Sequence, residues 1–223
     1  MLTLKTKKIN LLLVSIVTFA VWLTGAPAAF AADTQIDATP TVVYSRSLVY
    51  DQEPFDLTIM GEPLATKEQC LNYLRRKNPL PLITVRPSEL VDYFYEEASL
   101  EGIRPDVAFA QSLHETGNFR YGGDVIPMQN NYSGLGTTGG GVLGAWFPTA
   151  KIGVRAQIQH LLAYSNTRPP KEDVVDPRYD LVKRTGNFGK AINWTDLNGK
   201  WAVPGKTYGQ MILSIHQRIL QEK

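Results

Sequence analysis

One acidic residue, Glu115, stands between a short apolar stretch and a glycine-rich segment. The sequence is Ala-Gln-Ser-Leu-His-Glu-Thr-Gly over residues 110–117 and Gln-Asn-Asn-Tyr-Ser-Gly-Leu-Gly over residues 129–136. A carboxyl group among apolar and aromatic neighbours can keep its proton near neutral pH, because burial disfavours the anion. Together with the amide and phenol groups of the loop, this pattern indicates acid-catalysed cleavage of a glycosidic bond, with Glu115 as the acid.

The stretch that ends at Glu115 is predicted to be a helix. Arg104-Pro105-Asp106 opens it, since proline is tolerated in the first turn and an acid there favours the helix dipole. Gly117 ends it. Gln111 and Glu115 are four residues apart and therefore share one face of this helix. Gln111 is for this reason a predicted site residue.

The surrounding elements are predicted from capping signals and apolar spacing. Helices are expected over residues 67–77, from about 90 to 102, over 150–164, near 177–183 and over 207–221. Nine glycines between residues 117 and 144 favour tight turns and short hairpins over a helix. The predicted fold class is therefore α+β, mainly α, with a small glycine-rich β lobe beside the Glu115 helix.

The N-terminus has the three parts of a secretory signal. Lysines at positions 5, 7 and 8 precede an apolar run over residues 9–23 and the small residues before Ala31. This run is shorter than the ~20 residues that span a bilayer. A signal peptide over residues 1–31 is predicted, and an uncleaved anchor is the alternative. An extended N-terminal arm over 32–65 and a catalytic domain over 66–223 are expected to follow.

Charge and cysteine content exclude several classes of function. Removing residues 1–31 takes away three of 23 basic residues and none of the 21 acids, which leaves a formal charge of −1. That balance gives no electrostatic case for a nucleic-acid or membrane partner beyond the signal segment. Cys70 is the only cysteine, so an intramolecular disulfide is excluded. The position four residues after His114 is Asn118 rather than a second histidine, so no metal site or cofactor is predicted.

Four segments of the chain resemble one enzyme family. Two are quoted above; the others are Gly-Val-Arg-Ala-Gln-Ile-Gln-His-Leu over 153–161 and Trp-Ala-Val-Pro-Gly-Lys-Thr-Tyr-Gly over 201–209. In this order they resemble the bacterial cell-wall endo-β-N-acetylglucosaminidases of glycoside hydrolase family 73. The resemblance implies a lysozyme-like fold, with a substrate groove for a glycan strand between the helices and the β lobe. It also implies that Glu115 is the general acid.

The group that assists the acid remains open. Asp124 is the only acid between Glu115 and Glu172, whereas some members of that family use a second glutamate in the β lobe. Asp124 is one candidate base. A substrate-assisted route is another, in which the 2-acetamido oxygen of the sugar attacks the anomeric carbon and Tyr132 steadies the intermediate. A third interpretation makes Asp124 a turn residue that bonds its own loop.

The remaining site predictions concern sugar binding. Asn131 and Tyr132 match family positions that line the sugar site, so Tyr132 is predicted as catalytic beside Glu115 and Asp124. The predicted substrate-binding residues are Gln111, Asn130, Asn131, Gly134 and Trp146. Ordinary turn chemistry is the alternative for the asparagines, and burial against a helix is the alternative for Trp146.

The resulting hypothesis is an exported peptidoglycan hydrolase that cleaves the β-1,4 bond between N-acetylglucosamine and N-acetylmuramic acid. A muramidase or lytic transglycosylase acting on the same glycan is the nearest alternative. A non-catalytic glycan-binding module is an alternative of a different class. The expected partner is the glycan strand, the expected state is a monomer, and the expected location is secreted, extracellular or in the cell wall.

Overall fold

The computed structural model describes residues 56–223, and this part of the chain is mainly helical. Two short 3₁₀ helices, Pro127–Gln129 and Trp194–Leu197, accompany six α-helices. The α-helices are α1 (Lys67–Lys77), α2 (Pro87–Leu100), α3 (Pro105–Glu115), α4 (Ala150–Ser165), α5 (Tyr179–Arg184) and α6 (Tyr208–Ile219). The predicted helices are confirmed, with small differences at their ends. The predicted signal peptide over 1–31 lies outside the described residues.

Helix α1 begins with the predicted capping box. The Thr66 hydroxyl accepts a hydrogen bond from the Gln69 backbone N–H at 3.1 Å, and the Gln69 side chain accepts one from the Thr66 N–H at 2.9 Å. These bonds satisfy two of the donors that a helix start leaves unpaired. None of the α-helices in residues 56–223 combines the length with the apolar character needed to cross a membrane.

Helix α3 is the central element of the core. Its residues 105–113 are all buried, which follows from an apolar character on every side of the helix. Phe109 of α3 contacts Phe94 of α2 edge to face, with ring centroids 5.5 Å apart, and Phe119 at 6.1 Å. Because α3 is enclosed, the position of Glu115 at its last turn is set by the whole core rather than by a surface loop.

A buried carboxylate fixes the start of α3. Asp106 is fully buried and accepts hydrogen bonds from the backbone N–H groups of Leu64 and Ala65, each at 2.8 Å. Its Oδ2 also lies 2.7 Å from Nε2 of His216 on α6. Burial acts to raise the pKa of Asp106, but its hydrogen bonds with His216 and the two N–H groups lower the pKa overall. The pair therefore ties α3 to α6 and to the segment before α1.

The predicted β lobe is not found. Residues 117–149, all of which the structure describes, contain turns and the 3₁₀ helix Pro127–Gln129 but no strand. Positive φ angles at Asn118, Phe119 and Tyr121, and at most of the glycines of this segment, interrupt any extended run. Side-chain amides take the place of a strand ladder in satisfying the backbone here. The glycine content correctly indicated turns, but it did not distinguish a hairpin from an irregular loop.

The described end of the predicted N-terminal arm is part of the folded body. Ile59 is fully buried. Its N–H donates to the carbonyl of Ile192 at 2.9 Å, and its carbonyl accepts from the N–H of Arg104 at 2.9 Å. Ile59 therefore anchors the described end of the arm in the core. Residues 32–55 of the predicted arm lie outside the described range.

Candidate active site

Glu115 is the last residue of α3 and lines a cavity of about 580 Å³. The cavity lies between the end of α3, the loop from Ser133 to Gly139, and residues of the segment 178–203. The carboxyl is half-buried. Burial raises the pKa of Glu115 to about 7, and hydrogen bonding from the side chains of Tyr208 and Trp201 partly opposes this rise. The group can therefore hold a proton near neutral pH and still face a ligand-sized space.

Tyr208, the first residue of α6, is the hydrogen-bond partner of this acid. Its hydroxyl donates to Oε1 of Glu115 and accepts from the side-chain amide of Gln111 at 2.8 Å. Burial and the proximity of Glu115 raise the pKa of Tyr208 well above its ordinary value, so the phenol keeps its proton. Since Gln111 occupies the oxygen as a donor, the phenol hydrogen is directed to Glu115.

Gln157 of α4 extends this chain of hydrogen bonds. Its amide nitrogen donates to Oε1 of Gln111 at 2.8 Å and to the backbone carbonyl of Ala108 at 3.0 Å. Both glutamines are fully buried. Gln111 therefore lies behind the site and orients Tyr208, instead of lining the cavity as a predicted substrate-binding residue would.

A glycine allows α6 to begin next to Glu115. A Cβ atom on Gly209 would meet the carbonyl oxygen of Trp194 at 2.4 Å and Cα of Thr195 at 2.6 Å. The Gly209 N–H donates to Oδ1 of Asn198 at 2.8 Å. The first turn of α6 consequently packs directly on the 3₁₀ helix Trp194–Leu197, and this contact places Tyr208.

Aromatic side chains form one wall of the cavity. The Trp201 ring is stacked on Tyr208 at 6.3 Å with an interplanar angle of 14°, and it meets the ring of His160 edge to face at 4.8 Å. Nδ1 of His160 lies 2.7 Å from Oδ2 of the buried Asp176, which holds the imidazole in place. Trp194 is fully buried, whereas Trp201 is half-buried and lines the cavity. Such a wall is suited to contact with the apolar face of a sugar.

Gly134, a predicted substrate-binding residue, lies beside the acid. It has a φ of +65°, and a Cβ atom built on it would lie 3.5 Å from Oε2 of Glu115. The left-handed backbone favours glycine, and the missing side chain leaves the space next to the carboxyl open. A sugar ring can therefore approach Glu115 across this residue.

Asn130 and Asn131 hold the loop that carries Gly134. The Asn131 amide donates to the carbonyl of Leu135 at 2.9 Å and accepts from its N–H at 3.0 Å. The Asn130 amide donates to the carbonyl of Phe147 at 3.0 Å. Both asparagines are buried, and neither lines the cavity. Their contacts match the alternative of turn chemistry rather than direct sugar binding.

The same loop packs tightly against α4. A Cβ atom on Gly153 would lie 1.8 Å from the backbone oxygen of Asn130. Only a residue without a side chain permits this approach. Gly153, in the third segment of the resemblance, therefore determines how closely the loop that carries Gly134 packs on α4.

Tyr132 does not reach the cavity. It is only 1% exposed, its ring lies 6.3 Å from Phe94 and 5.9 Å from Phe119, and its hydroxyl donates to Oδ1 of Asn130 at 3.4 Å. The phenol next to the acid is that of Tyr208, which sequence reasoning missed. The signal available was its place in the fourth segment, after the Trp201 that stacks on it.

Asp124 and Trp146, the other two predicted site residues, lie in different environments. Asp124 shares a second cavity of about 200 Å³ with Glu115 and Gly134, and its Oδ1 accepts from the backbone N–H of Gly141 at 2.9 Å. Trp146 is 56% exposed and lines neither cavity. Within residues 56–223, no group of three or more His, Cys, Asp or Glu side chains is arranged to hold a metal ion.

Comparison with known proteins bears on this site. The glucosaminidase family, described as mannosyl-glycoprotein endo-beta-N-acetylglucosaminidase, matches residues 91–221. An uncharacterized protein of Borreliella burgdorferi is 38% identical over 128 residues, which is 57% of this chain and 60% of the relative. No solved structure matches the chain. The family match covers more than half of the chain, including Glu115, Gly134 and Tyr208, and on this ground the chain belongs to the glucosaminidase family of glycoside hydrolases.

Proposed function

We propose that the protein is an exported endo-β-N-acetylglucosaminidase that cleaves the β-1,4 bond between N-acetylglucosamine and N-acetylmuramic acid in peptidoglycan. One observation carries the proposal: the carboxyl of Glu115, with a pKa of about 7, opens onto a cavity of about 580 Å³ with an aromatic wall. The cavity is taken as the substrate groove. Membership of the glucosaminidase family supports a glycan substrate.

Glu115 acts as the general acid. Its proton passes to the glycosidic oxygen while the bond from that oxygen to the anomeric carbon breaks. The carboxylate that forms is stabilised by the hydroxyl of Tyr208, which already donates to Oε1. Because Gln111 and Gln157 fix the direction of that hydroxyl, little reorganisation accompanies the proton transfer.

The acetamido group of the substrate supplies the nucleophile. Among the described residues that line the larger cavity, Glu115 is the only acid. The 2-acetamido oxygen attacks the anomeric carbon and forms a cyclic oxazolinium as the leaving sugar departs with the Glu115 proton. Water then attacks the same carbon and gives a proton to Glu115, while the bond from that carbon to the acetamido oxygen breaks and the acetamido group is regenerated. This step completes hydrolysis with retention of configuration. This route needs one protein carboxyl, in accord with the content of the cavity.

Product analysis tests the proposed bond. Purified cell walls are digested, the new reducing ends are reduced with borohydride, and the sugars are identified by mass spectrometry. Reduced N-acetylglucosamine is the expected product. Reduced N-acetylmuramic acid would indicate a muramidase, a 1,6-anhydro product would indicate a transglycosylase, and binding without products would indicate a glycan-binding module.

A pair of variants tests the role of the acid. Glu115→Gln is expected to lose about 10²- to 10⁴-fold in rate, as is usual when a positioned general acid is removed. Glu68→Gln is the matched control, since Glu68 is exposed on α1 and lines no part of the Glu115 cavity. Equal activity of wild type and Glu115→Gln would refute the mechanism.

A further inference from the structure

The cavity that contains Glu115 is lined by positively charged residues as well as by the acid. Besides Glu115, its lining includes two half-buried cationic residues, Arg178 and Lys200. Neither forms an ion pair with a carboxylate anywhere in the described part of the chain. Two other half-buried arginines are paired: Arg155 lies 2.8 Å from Glu97, and Arg168 lies 2.7 Å from Glu101.

Both cationic residues lie near Tyr164. The Tyr164 hydroxyl, which also lines the cavity, donates to the backbone carbonyl of Lys200 at 3.1 Å. Arg178 lies close enough for its charge to act on the same phenol: burial raises the pKa of Tyr164, and Arg178 opposes the rise. Arg178 and Lys200 therefore both line the cavity beside Tyr164, and this part of the cavity is called the cationic end.

Asp176, two residues before Arg178, is already engaged by other groups. It is buried, its Oδ2 lies 2.7 Å from Nδ1 of His160, and its Oδ1 accepts from the backbone N–H of Arg178 at 2.8 Å. It does not line the cavity. Asp176 thus holds the backbone of Arg178 in place and leaves the guanidinium available to a ligand.

We propose that Arg178 and Lys200 bind a carboxylate carried by a muramic acid residue of the substrate. This inference rests on the proposed function and makes it more specific. N-acetylglucosamine has no anionic group, whereas muramic acid carries a lactyl group that is either free or linked to a stem peptide with its own carboxylates. An arginine fork pairs well with a carboxylate, and half-buried charges are screened less by salt than exposed ones. The cationic end therefore selects peptidoglycan over neutral polymers of N-acetylglucosamine.

Two variants and two matched controls test the proposal. Arg178→Gln and Lys200→Gln remove the cavity charges, while Arg184→Gln and Lys190→Gln remove exposed charges that do not line the cavity. Each protein is assayed on intact cell walls, on walls whose carboxylates are amidated with carbodiimide and methylamine, and on glycan strands stripped of stem peptides by an amidase.

Both cavity variants are expected to raise KM about tenfold on intact walls, the effect of losing one charge-assisted contact, with kcat nearly unchanged. On amidated walls they are expected to match wild type, and the controls are expected to match wild type on every substrate. Sensitivity on intact walls but not on stripped strands would identify stem-peptide carboxylates as the ligand. Sensitivity on both would show that the free lactyl carboxylate also binds.

Equal losses on intact and amidated walls, or no loss on intact walls, would overturn the proposal. These results differ from failure of the proposed function, which would appear as the wrong reducing end in the wild-type digest. A binding assay in the Glu115→Gln background, with thermal unfolding of each variant, separates loss of contact from loss of fold. There, adding Arg178→Gln is expected to weaken sedimentation with intact walls and to reduce its salt dependence, and unchanged binding would contradict the assignment.

Discussion

Tyr208 donates its hydroxyl hydrogen to the carboxyl of Glu115, although 93 residues separate the two in the chain. One residue ends α3 and the other begins α6. Gln111 and Gln157 fix the direction of the hydrogen bond from behind. The acid therefore has a dedicated donor whose role can be measured separately from that of the carboxyl.

Replacing Tyr208 with phenylalanine is expected to lower kcat about tenfold, because the Glu115 anion loses a stabilising hydrogen bond. The same change removes an interaction that lowers the pKa of Glu115, so this pKa rises above about 7. Activity requires the protonated acid and falls as pH rises through that pKa. The alkaline limb of the pH–rate profile is therefore expected to move to higher pH.

Tyr73→Phe is the control for this variant, since Tyr73 is buried on α1 and does not line the Glu115 cavity. It is expected to retain the wild-type profile. An alkaline limb that stays in place, or moves to lower pH, in Tyr208→Phe would contradict the proposed role of the phenol.

The raised pKa of Glu115 predicts a pH-dependent cost in stability. The folded-state pKa of about 7 lies above the ordinary value of 4.5, so the native state keeps a proton that the unfolded chain has lost between these values. The stabilisation that this retained proton gives the native state is complete below pH 4.5 and is lost as the pH rises through 7. The free energy of unfolding falls by at most about 3 kcal/mol as a result. Glu115→Gln has no such proton and is expected to become more stable, relative to wild type, at high pH.

Urea unfolding at about pH 4 and about pH 8 measures this effect as the change in ΔΔG between the two conditions. Glu68→Gln, on the exposed side of α1, is expected to show no comparable change. A Glu115→Gln difference that is the same at both pH values would mean that the carboxyl is ordinarily solvated.

Gly153→Ala tests the close approach between α4 and the loop that carries Gly134. The new methyl group would lie 1.8 Å from the backbone oxygen of Asn130, so either the helix or the loop must move. We expect a loss of about 1–3 kcal/mol, despite the better helix propensity of alanine, and a fall in activity as Gly134 shifts. Denaturant unfolding and wall-digestion assays measure both effects.

Gly123→Ala is a suitable control for that variant, because an added Cβ atom there meets nothing within 4 Å. It is expected to leave stability and activity close to wild type. If Gly153→Ala also leaves stability and activity unchanged, the contact between Gly153 and Asn130 does not position the loop.

Asp124→Asn separates the proposed substrate-assisted route from the alternative in which Asp124 is the catalytic base. The amide oxygen can still accept the N–H of Gly141, so the loop is retained while a catalytic base would be lost. The substrate-assisted route predicts activity within about threefold of wild type and retention at the anomeric carbon, observed by NMR of the first products. A loss of about 100-fold together with inversion would instead assign the base to Asp124.

The helices could be predicted because their signals are local. The capping box at Thr66 and Gln69 and the proline that opens α3 each act within one turn, and the structure contains both helices. Glu115 and Gly134, two of the predicted site residues, line the same cavity. The family resemblance of their two segments, rather than the length of the connection between them, points to this pairing.

Features that depend on long-range packing could not be predicted. The family resemblance points to Tyr132 as the phenol of the site, but its ring packs in the core. The position of Tyr208 depends on how α6 docks against Trp194–Leu197, which no local pattern describes. The β lobe was wrong for a related reason: side chains such as Asn131 bond the loop backbone where strands would otherwise pair.

Glu115 and Tyr208 lie far apart in the sequence, so the catalytic acid and the phenol that bonds it come together only when the chain folds. A small displacement of α6 would leave the acid in its helix but take away the phenol that donates to it. A substitution that shifts only the start of α6 should therefore slow hydrolysis while the helical circular dichroism signal stays close to that of the wild type. Activity in this protein therefore depends on the position of one helix, whereas the circular dichroism signal depends on all the helices together.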